Sequence, residues 1–241
     1  MINYNIWEKL LHSVFLGNKF IKKNSYEIEK LLFLEKVNKD IKFEKHVFIS
    51  GLARSGTTAL LNYLYNSSYF ASLTYKDMPL IMMPNFFSKI SKKNINSPTI
   101  QRMHNDGINI NLNSPESFDE VFFSTFNDNN QDEYLNFISL VLLRYKKLRY
   151  LSKNNNNYKR ISTIKDIFPK SIHLITFRDP LQHALSLHTQ HIKFLKIQKD
   201  NKFVKKYMNY LGHHEFGILH KSWNIPIRYD DPLNINYWIE Q

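Results

Sequence analysis

Residues 46–58, HVFISGLARSGTT, join an apolar run, a glycine-bounded loop and the start of a helical pattern. The run 46–50 is short and rich in β-forming side chains, which predicts a strand ending at Gly51. From 57 to 65, apolar side chains recur at helical spacing. A loop between a strand and a helix can direct backbone N–H groups and the positive end of a helix dipole at an anion. The stretch therefore predicts the start of an α/β fold and an anion site.

The side chains of this loop are those that bind phosphate. Its candidate ligands are Gly51, Arg54, Ser55, Gly56, Thr57 and Thr58. Glycines allow positive φ and close backbone approach, hydroxyls donate to phosphate oxygens, and arginine supplies fixed charge. A nucleoside-triphosphate loop requires lysine where this chain has Thr57, which disfavours a kinase or ATPase. A loop that binds phosphate without catalysis, and a plain glycine turn, are the other interpretations.

A second motif, FRDP at 177–180, follows a strand predicted at 172–177. Arg178 precedes Ser186 by eight positions, which places Ser186 two turns into the following helix. At that spacing the two side chains can converge on one anionic group. Alone the motif is weak, because Asp179 could simply cap the helix.

The remaining pattern alternates strands with helices. Helices are predicted at 5–34 with a break at Gly17-Asn18, and at 57–65, 80–90, 135–148, 158–168 and 180–195. Strands are predicted at 46–50, at 149–152 and, as a buried one, at 172–177. A loop is predicted at 91–114, and a turn or mobile loop at 154–157. This order predicts a three-layer α/β fold with a central parallel sheet and helices on both faces. We expect one domain over 1–241, with an N-terminal helical arm at 1–44, the α/β core at 45–220 and a C-terminal segment at 221–241.

Composition narrows the functional classes. The net charge of +12 favours an anionic ligand but does not choose among nucleic acid, membrane surface, nucleotide and acidic glycan. The absence of cysteine excludes disulfides and thiolate zinc sites and suits a reducing compartment. No stretch reaches the roughly 20 apolar residues of a membrane span. We expect a cytoplasmic protein.

The histidines do not show a metal-binding pattern. The residues that superficially suggest ligands are His188, His191, His213, His214, Glu215 and His220. They lack a matching set of carboxylates or cysteines, so helix packing or pocket lining is the preferred interpretation and no metal is expected.

Together the two motifs resemble the sulfotransferase family that uses 3′-phosphoadenosine 5′-phosphosulfate (PAPS). Its 5′-phosphosulfate loop is similar to residues 54–58, and its 3′-phosphate site uses an arginine and a serine spaced like Arg178 and Ser186. The resemblance covers most of 45–220 and is strongest to a bacterial-type branch. Segments similar to that branch are 74–79, 106–108, 114–116, 150–154 and 214–217. The family fold is a P-loop-type α/β sheet, in agreement with the pattern above.

The resemblance implies transfer of a sulfuryl group to an acceptor hydroxyl by in-line displacement, without a metal and with adenosine 3′,5′-bisphosphate (PAP) as product. Arg54 and the loop amides would hold the 5′-phosphosulfate, and Arg178 and Ser186 the 3′-phosphate. Lys153 would stabilise the leaving phosphate, unless it is an ordinary surface lysine. The acceptor would be a carbohydrate or another small metabolite. The resembled branch continues past residue 241, so we expect either a natural short form or a truncated chain.

An acceptor hydroxyl also needs a general base. The candidates are Asp77, His104, Asp106, Glu116 and Glu120. Asp77 has the best positional argument but could instead pair with Lys76 or cap a helix. Glu116 could be only an acid in the first turn of a helix, and His104 has no visible orienting partner. The choice among the five stays open.

Two other functions remain as alternatives to a sulfotransferase. A P-loop nucleotide or metabolite kinase is opposed by the missing lysine and by the lack of an obvious magnesium-binding aspartate at a strand end. A basic nucleic-acid-binding module is opposed by the absence of a recognised motif, so no nucleic-acid partner is expected. The sequence does not predict the oligomeric state.

Overall fold

The structure is a computed structural model that describes residues 4–91, 98–104, 106–116, 118–127, 130–223 and 228–241. Its α-helices are α1 (Ile6–Gly17), α2 (Lys19–Phe33), α3 (Thr57–Asn66), α4 (Pro84–Ile90), α5 (Asp119–Phe126), α6 (Gln131–Tyr145), α7 (Ile161–Ile167), α8 (Pro180–Asp200), α9 (Lys202–Tyr210) and α10 (Ile235–Glu240). Its strands are β1 (Val47–Ser50), β2 (Phe70–Ala71), β3 (Ile100–Gln101), β4 (Asn109–Ile110), β5 (Arg149–Lys153) and β6 (Ile172–Ile175).

Four strands form a parallel sheet in the order β2-β5-β1-β6. In β1, Val47 is opposite Leu151 of β5 on one side and Ile172 of β6 on the other. The strands predicted at 46–50 and 149–152 are thereby confirmed, and the parallel α/β architecture with them. The strand predicted at 172–177 is confirmed as far as Ile175. The two-residue strand β2 has too little sequence pattern to be predicted.

Helices cover both faces of this sheet, as predicted. Alternate side chains of a strand point to opposite faces. On one face, α3 and the sheet share a buried apolar cluster of Val47, Ile49, Leu61, Phe70 and Leu151. On the other face, Phe48 stacks on Phe168, directly after α7, and also meets the ring of Tyr150. The sheet is therefore the middle of three layers.

A carboxylate is buried against the second face. Asp119, the first residue of α5, accepts hydrogen bonds from the hydroxyls of Tyr134, Tyr150 and Ser152. Burial raises the pKa of this carboxyl, and the three hydroxyl donors oppose the rise. Because Ser152 precedes Lys153 in β5, the network also fixes the end of that strand.

The contacts within the chain define two compact units. One contains the described residues of 1–51 and 57–175, and the other those of 52–56 and 176–241. The first unit holds the sheet, and the second holds α8, α9 and α10 together with the middle of the loop that follows β1. The single-domain expectation for 1–241 stays a prediction.

The N-terminal helices are confirmed, including the break between them. The side chain of Asn18 accepts from the backbone N–H groups of Phe20 and Ile21 at 2.9 and 3.2 Å, which starts α2. Asn18 itself is extended and ends α1. Along the described residues, no helix is long and apolar enough to cross a membrane.

The helix predicted at 80–90 is wrong in its first half. Pro84 is the first residue of α4, a position that proline favours because it has no N–H to donate. The buried carboxylate of Glu29 accepts from the backbone N–H groups of Asn85 and Phe86 at 2.7 and 3.1 Å. The apolar stretch 80–83 is therefore a buried turn that leads into a capped helix.

The run 154–157, predicted as a turn or a mobile loop, leads into a short helix. The segment Asn155–Arg160 is a 3₁₀-helix, begun by the Asn154 side chain, which accepts from the backbone of Asn156 at 2.9 Å. Asn157 is buried and donates to Ile49 O at 3.3 Å. Because these amides satisfy backbone groups, the asparagine run is ordered, and the following helix starts at 161 rather than 158.

Three further expectations are corrected in part. Strand β6 is at the edge of the described sheet and pairs with β1, so it is not buried: Ile172 and Ile175 are 40% and 57% exposed. The predicted loop 91–114 contains a short antiparallel hairpin, β3 with β4. Residues 92–97 and 105 of that loop lie outside the described residues. Helix α8 continues to Asp200, beyond the predicted end at 195.

The buried imidazole of His46 makes a prediction about stability and pH. Its Nδ1 accepts from the backbone N–H of Tyr150 at 2.9 Å, and its Nε2 donates to Ile41 O at 2.8 Å, which requires the neutral ring. Burial, with a smaller effect of the Arg149 charge, lowers the pKa of His46 to about 4. Between pH 6.5 and 4 the unfolded chain binds a proton that the folded chain excludes. We expect His46 to reduce the free energy of unfolding by on the order of 2 kcal/mol between pH 7 and 4.5.

Urea unfolding of the wild type and of His46→Asn at both pH values measures this effect, since asparagine does not titrate. The wild type should lose more stability on acidification than the variant. Equal losses in the two proteins would contradict the assignment.

Candidate functional site

The loop after β1 has the backbone of an anion-binding turn. Gly51 and Gly56 have φ values of 141° and 100°, and Arg54 has φ 72°. A left-handed conformation costs an ordinary residue roughly 1–2 kcal/mol, and strain of this kind is common at functional sites. The first turn of α3, which follows the loop, contains no acidic residue. The helix dipole therefore leaves this end of α3 favourable to an anion.

Arg54 and Ser186 are in contact. Arg54 Nε donates to Ser186 Oγ at 3.2 Å, across 132 positions of sequence. Both residues belong to the unit of 52–56 and 176–241. The two motifs singled out in the sequence therefore supply neighbouring side chains.

Further hydrogen bonds within the same unit fix the loop. Ser55 Oγ donates to Leu52 O at 2.7 Å and lies 2.6 Å from the Thr176 hydroxyl oxygen. His183 of α8 donates from Nε2 to Ala53 O at 2.7 Å. Sequence reasoning missed His183, although it lies three residues before Ser186 on the same helix. These hydrogen bonds connect residues 52–55 of the loop to Thr176 and to α8.

Arg178 and Ser186 have different partners. Arg178 is exposed and donates to Gln182 Oε1 at 3.4 Å. Asp179 accepts from the backbone N–H of Gln182 at 2.9 Å, so it does cap α8. The convergence of Arg178 and Ser186 on one anion stays a prediction.

In the sheet-containing unit, Lys153, Glu116 and Tyr75 form a second group. Lys153 Nζ lies 3.3 Å from Glu116 Oε1, and Tyr75 donates its hydroxyl to Glu116 Oε2 at 2.8 Å. The Lys153 side chain is 7% exposed, so it is not an ordinary surface lysine. Burial, together with the Glu116 charge, raises the pKa of Tyr75 well above 10 and keeps its hydroxyl protonated. Sequence reasoning missed Tyr75, which lies within the quoted segment 74–79.

Glu116 is held by its backbone before any helix begins. Its N–H donates to Leu73 O at 3.2 Å, and the preceding Pro115 is bridged to Thr74. Helix α5 starts only at Asp119. The interpretation of Glu116 as an acid in the first turn of a helix is therefore wrong.

A further residue that sequence reasoning missed is Arg102. Its NH1 donates to Thr58 Oγ1 at 3.1 Å, and its Nε and NH2 donate to the two carboxylate oxygens of Asp106, the former at 2.9 Å. The backbone N–H of Arg102 donates to Ile108 O at 3.1 Å, which extends the β3–β4 hairpin around a turn at Gly107. The sequence signal that could have indicated the Arg102–Asp106 pair is an arginine four residues before an Asp-Gly turn. The Asp106 carboxylate is occupied by this ion pair.

His104 lies within electrostatic reach of Arg102, Asp106, Glu116 and Lys153. Burial, followed by the Arg102 charge, lowers the pKa of His104 to about 3. A base is most effective when its pKa is near the working pH. The neutral imidazole is therefore a weak base here.

Asp77 has its oxygens occupied by structural partners. It is buried, and Oδ2 accepts from the Thr74 backbone N–H at 2.9 Å, from the Thr74 hydroxyl at 3.2 Å and from the Tyr145 hydroxyl. Arg144 Nε lies 3.6 Å from Oδ1. Asp77 shares a capping box with Thr74 in the 3₁₀-helix Tyr75–Asp77 and does not cap the next helix, whose N-cap is Met83. Its role as general base stays a prediction.

Glu120 is bound to Arg160 by two hydrogen bonds of 2.9 and 3.1 Å and accepts from Asn154 Nδ2 at 2.7 Å. Burial alone would raise the pKa of Glu120, but the Arg160 and Asn154 contacts outweigh it and lower the pKa below its ordinary value. Such a carboxylate binds a proton weakly.

In the unit of 52–56 and 176–241, His191 and His220 belong to an aromatic cluster. The rings of His191 and His220 lie 5.3 and 4.9 Å from the ring of Trp238, and His220 Nε2 lies 2.6 Å from the Tyr237 hydroxyl. Burial lowers the pKa of both imidazoles, that of His191 to about 4. In the part of the chain that the structure describes, no group of three or more His, Asp or Glu residues is arranged to hold a metal ion.

The fold is similar to a known crystal structure, that of sulfotransferase STF1 from Mycobacterium tuberculosis H37Rv. The two chains are 13% identical and superpose with a TM-score of 0.50, over 83% of this chain. This chain spans 65% of the length of the mycobacterial protein. At this identity the likeness shows the fold. No curated protein is similar enough in sequence to count as a relative.

The sequence pattern of the sulfotransferase family matches residues 46–230, from the residue before β1 to a point between α9 and α10. The match includes both the loop that contains Arg54 and the helix that contains Ser186. This chain belongs to the sulfotransferase family.

Proposed function

We propose that this chain transfers a sulfuryl group from PAPS to an acceptor hydroxyl and releases PAP. The observation that carries the proposal is the hydrogen bond from Arg54 to Ser186. In the sequence, these two residues belong to the motifs expected at the two phosphates of one donor molecule. A side-chain contact between motifs 132 positions apart is expected if both serve a single ligand.

The chemistry of the loop fits the 5′-phosphosulfate of the donor. Arg54 offers a guanidinium, and Thr57 and Thr58 offer two hydroxyls in the first turn of α3, which has no acidic residue. Charge-assisted hydrogen bonds of this kind are the strong ones for phosphate and sulfate oxygens. In this proposal the loop holds the 5′-phosphosulfate, and Arg178 and Ser186 hold the 3′-phosphate.

When bound, the donor supplies a sulfuryl group on a phosphate that leaves readily, and the proposal needs no metal. In this proposal, the Nζ of Lys153 stabilises negative charge on the departing phosphate oxygen. Its burial favours this role, because a cation that is shielded from water acts more strongly on nearby charge.

For the general base we propose Glu116. Asp77, Asp106 and Glu120 are each bound by partners that cap or pair them, and His104 has a pKa of about 3. Glu116 is instead paired with Lys153, the residue proposed at the leaving oxygen. Tyr75 donates to the second oxygen of Glu116 and thereby orients the carboxylate.

The proposed acceptor is a small molecule or a glycan, and the net charge of +12 would help to attract the anionic donor. We further propose that the chain works as a single domain in the cytoplasm and without a nucleic-acid partner.

Donor binding tests this function. We expect PAP to bind the wild type with micromolar affinity in the absence of magnesium, measured by titration calorimetry. Arg54→Gly should weaken that binding at least tenfold, because it removes a charge-assisted contact. The same change should leave thermal stability equal or higher, because glycine adopts φ 72° without strain.

Magnesium-dependent ATP binding without PAP binding would identify a kinase instead. Oligonucleotide binding that falls steeply with salt would identify a nucleic-acid-binding module. Either result contradicts the proposed function.

The base is tested by Glu116→Gln, which keeps the size of the side chain but cannot take a proton. We expect a fall in turnover of about 100-fold or more, measured as PAP release, with PAP affinity nearly unchanged. Glu120→Gln is the matched control and should keep turnover within a few-fold, provided that both variants melt as folded proteins. If Glu116→Gln retains wild-type turnover, the base is another residue.

A further inference from the structure

The Arg102 guanidinium connects the β3–β4 hairpin to the end of the proposed phosphosulfate loop. NH1 donates to Thr58 Oγ1 at 3.1 Å, and the side chains of Arg102 and Thr58 are largely buried. Thr58 is the second residue of α3 and the last residue of the loop motif. Arg102 therefore contacts the loop from an element that neither sequence motif includes.

The direction of this hydrogen bond determines where the Thr58 proton can go. Arginine can only donate, so the Thr58 oxygen accepts. A hydroxyl has one proton, and that proton must then point away from Arg102. Among the described residues, Arg102 is the one hydrogen-bond partner of the Thr58 hydroxyl. The proton is consequently available to an acceptor at the N-terminus of α3.

Asp106 makes the guanidinium a fixed part of the site. It binds Nε and NH2 of Arg102, while NH1 is left for Thr58. A two-pronged pair fixes the plane of a guanidinium as well as its position. The hairpin contact between Arg102 N and Ile108 O fixes the backbone behind it.

We propose that Arg102 is a positioning residue for the donor: it orients the Thr58 hydroxyl so that the hydroxyl donates to the 5′-phosphosulfate, and Asp106 holds Arg102 in place. This inference rests on the proposed function, because it takes PAPS as the ligand of the loop. It also gives Asp106 a supporting role in place of the role of general base.

The test compares two probes in calorimetric titrations without an acceptor: PAPS, and adenosine 3′-monophosphate, which lacks the 5′ group. Arg102→Met should weaken PAPS binding about tenfold. Binding of adenosine 3′-monophosphate should stay within about twofold, because it does not reach Thr58. A general loss of structure would instead weaken both ligands alike.

A double-variant cycle shows whether Arg102 acts through Thr58. Thr58→Val should weaken PAPS binding to a similar degree, Thr58→Ser should restore it, and the double variant Arg102→Met with Thr58→Val should be little worse than either single one. Arg160→Met is the matched control. It breaks an equally buried arginine–carboxylate pair, with Glu120, and should leave the affinities for both probes unchanged.

Equal weakening of the two probes, additive effects in the cycle, or unchanged PAPS affinity in Arg102→Met would each overturn the proposal. If Arg102→Met does not fold, Arg102→Lys, which keeps the charge but loses the two-pronged pair, should weaken PAPS selectively by a few-fold. If the wild type fails to bind PAPS, the proposed function itself is contradicted. If the wild type binds PAPS and the Arg102 variants bind it equally well, only the role of Arg102 is contradicted.

Discussion

The two-sided pairing of β1 is the constraint on which the other features depend. β1 is hydrogen-bonded to β5 on one side and to β6 on the other, and its side chains are buried on both faces. Its carboxyl end therefore has one position relative to its neighbours, and the loop at 51–58 starts there. Lys153 ends β5 beside it, with Ile49 of β1 opposite Lys153 in the register. In open α/β sheets, ligands bind at this end of the strands.

Buried polar residues then set the geometry around that end of the sheet. Asp119 fixes Ser152, and Asn157 joins Ser152 to the carbonyl of Ile49. These hydrogen bonds satisfy groups that would be costly to bury alone. In the same unit, Glu116 pairs with Lys153, and Asp106 pairs with Arg102. Many of the titratable groups in this region therefore have hydrogen-bond or ion-pair partners. The choice of a base depends on whether the partner is itself proposed to act on the donor, as Lys153 is.

The sequence was sufficient for the elements whose pattern is long or chemically specific. The strand, loop and helix at 46–65 were predicted because apolar periodicity and glycine placement agree there. The edge position of β6 could not be predicted, since strand order is a long-range property that local hydrophobicity does not encode. The run 80–83 was misassigned because a short apolar stretch suits a helix and a buried turn equally.

The residues proposed for the donor could be named from the sequence because they lie in motifs. Arg102 and Tyr75 were missed because their hydrogen bonds join residues 44 and 41 positions apart. Hydrogen-bond partners likewise separate the base candidates in a way that spacing cannot, as Asp77 shows by accepting from the backbone N–H of Thr74.

The central claim is transfer of a sulfuryl group, and the most direct measurement follows the sulfur atom. The protein is incubated with sulfur-radiolabelled PAPS and a panel of hydroxyl-bearing sugars and metabolites in the presence of a metal chelator, and labelled product and PAP are quantified together. We expect label in an acceptor, with equimolar PAP, and none with Arg54→Gly. Absence of transfer to the whole panel, or transfer of phosphate from ATP that requires magnesium, would contradict it.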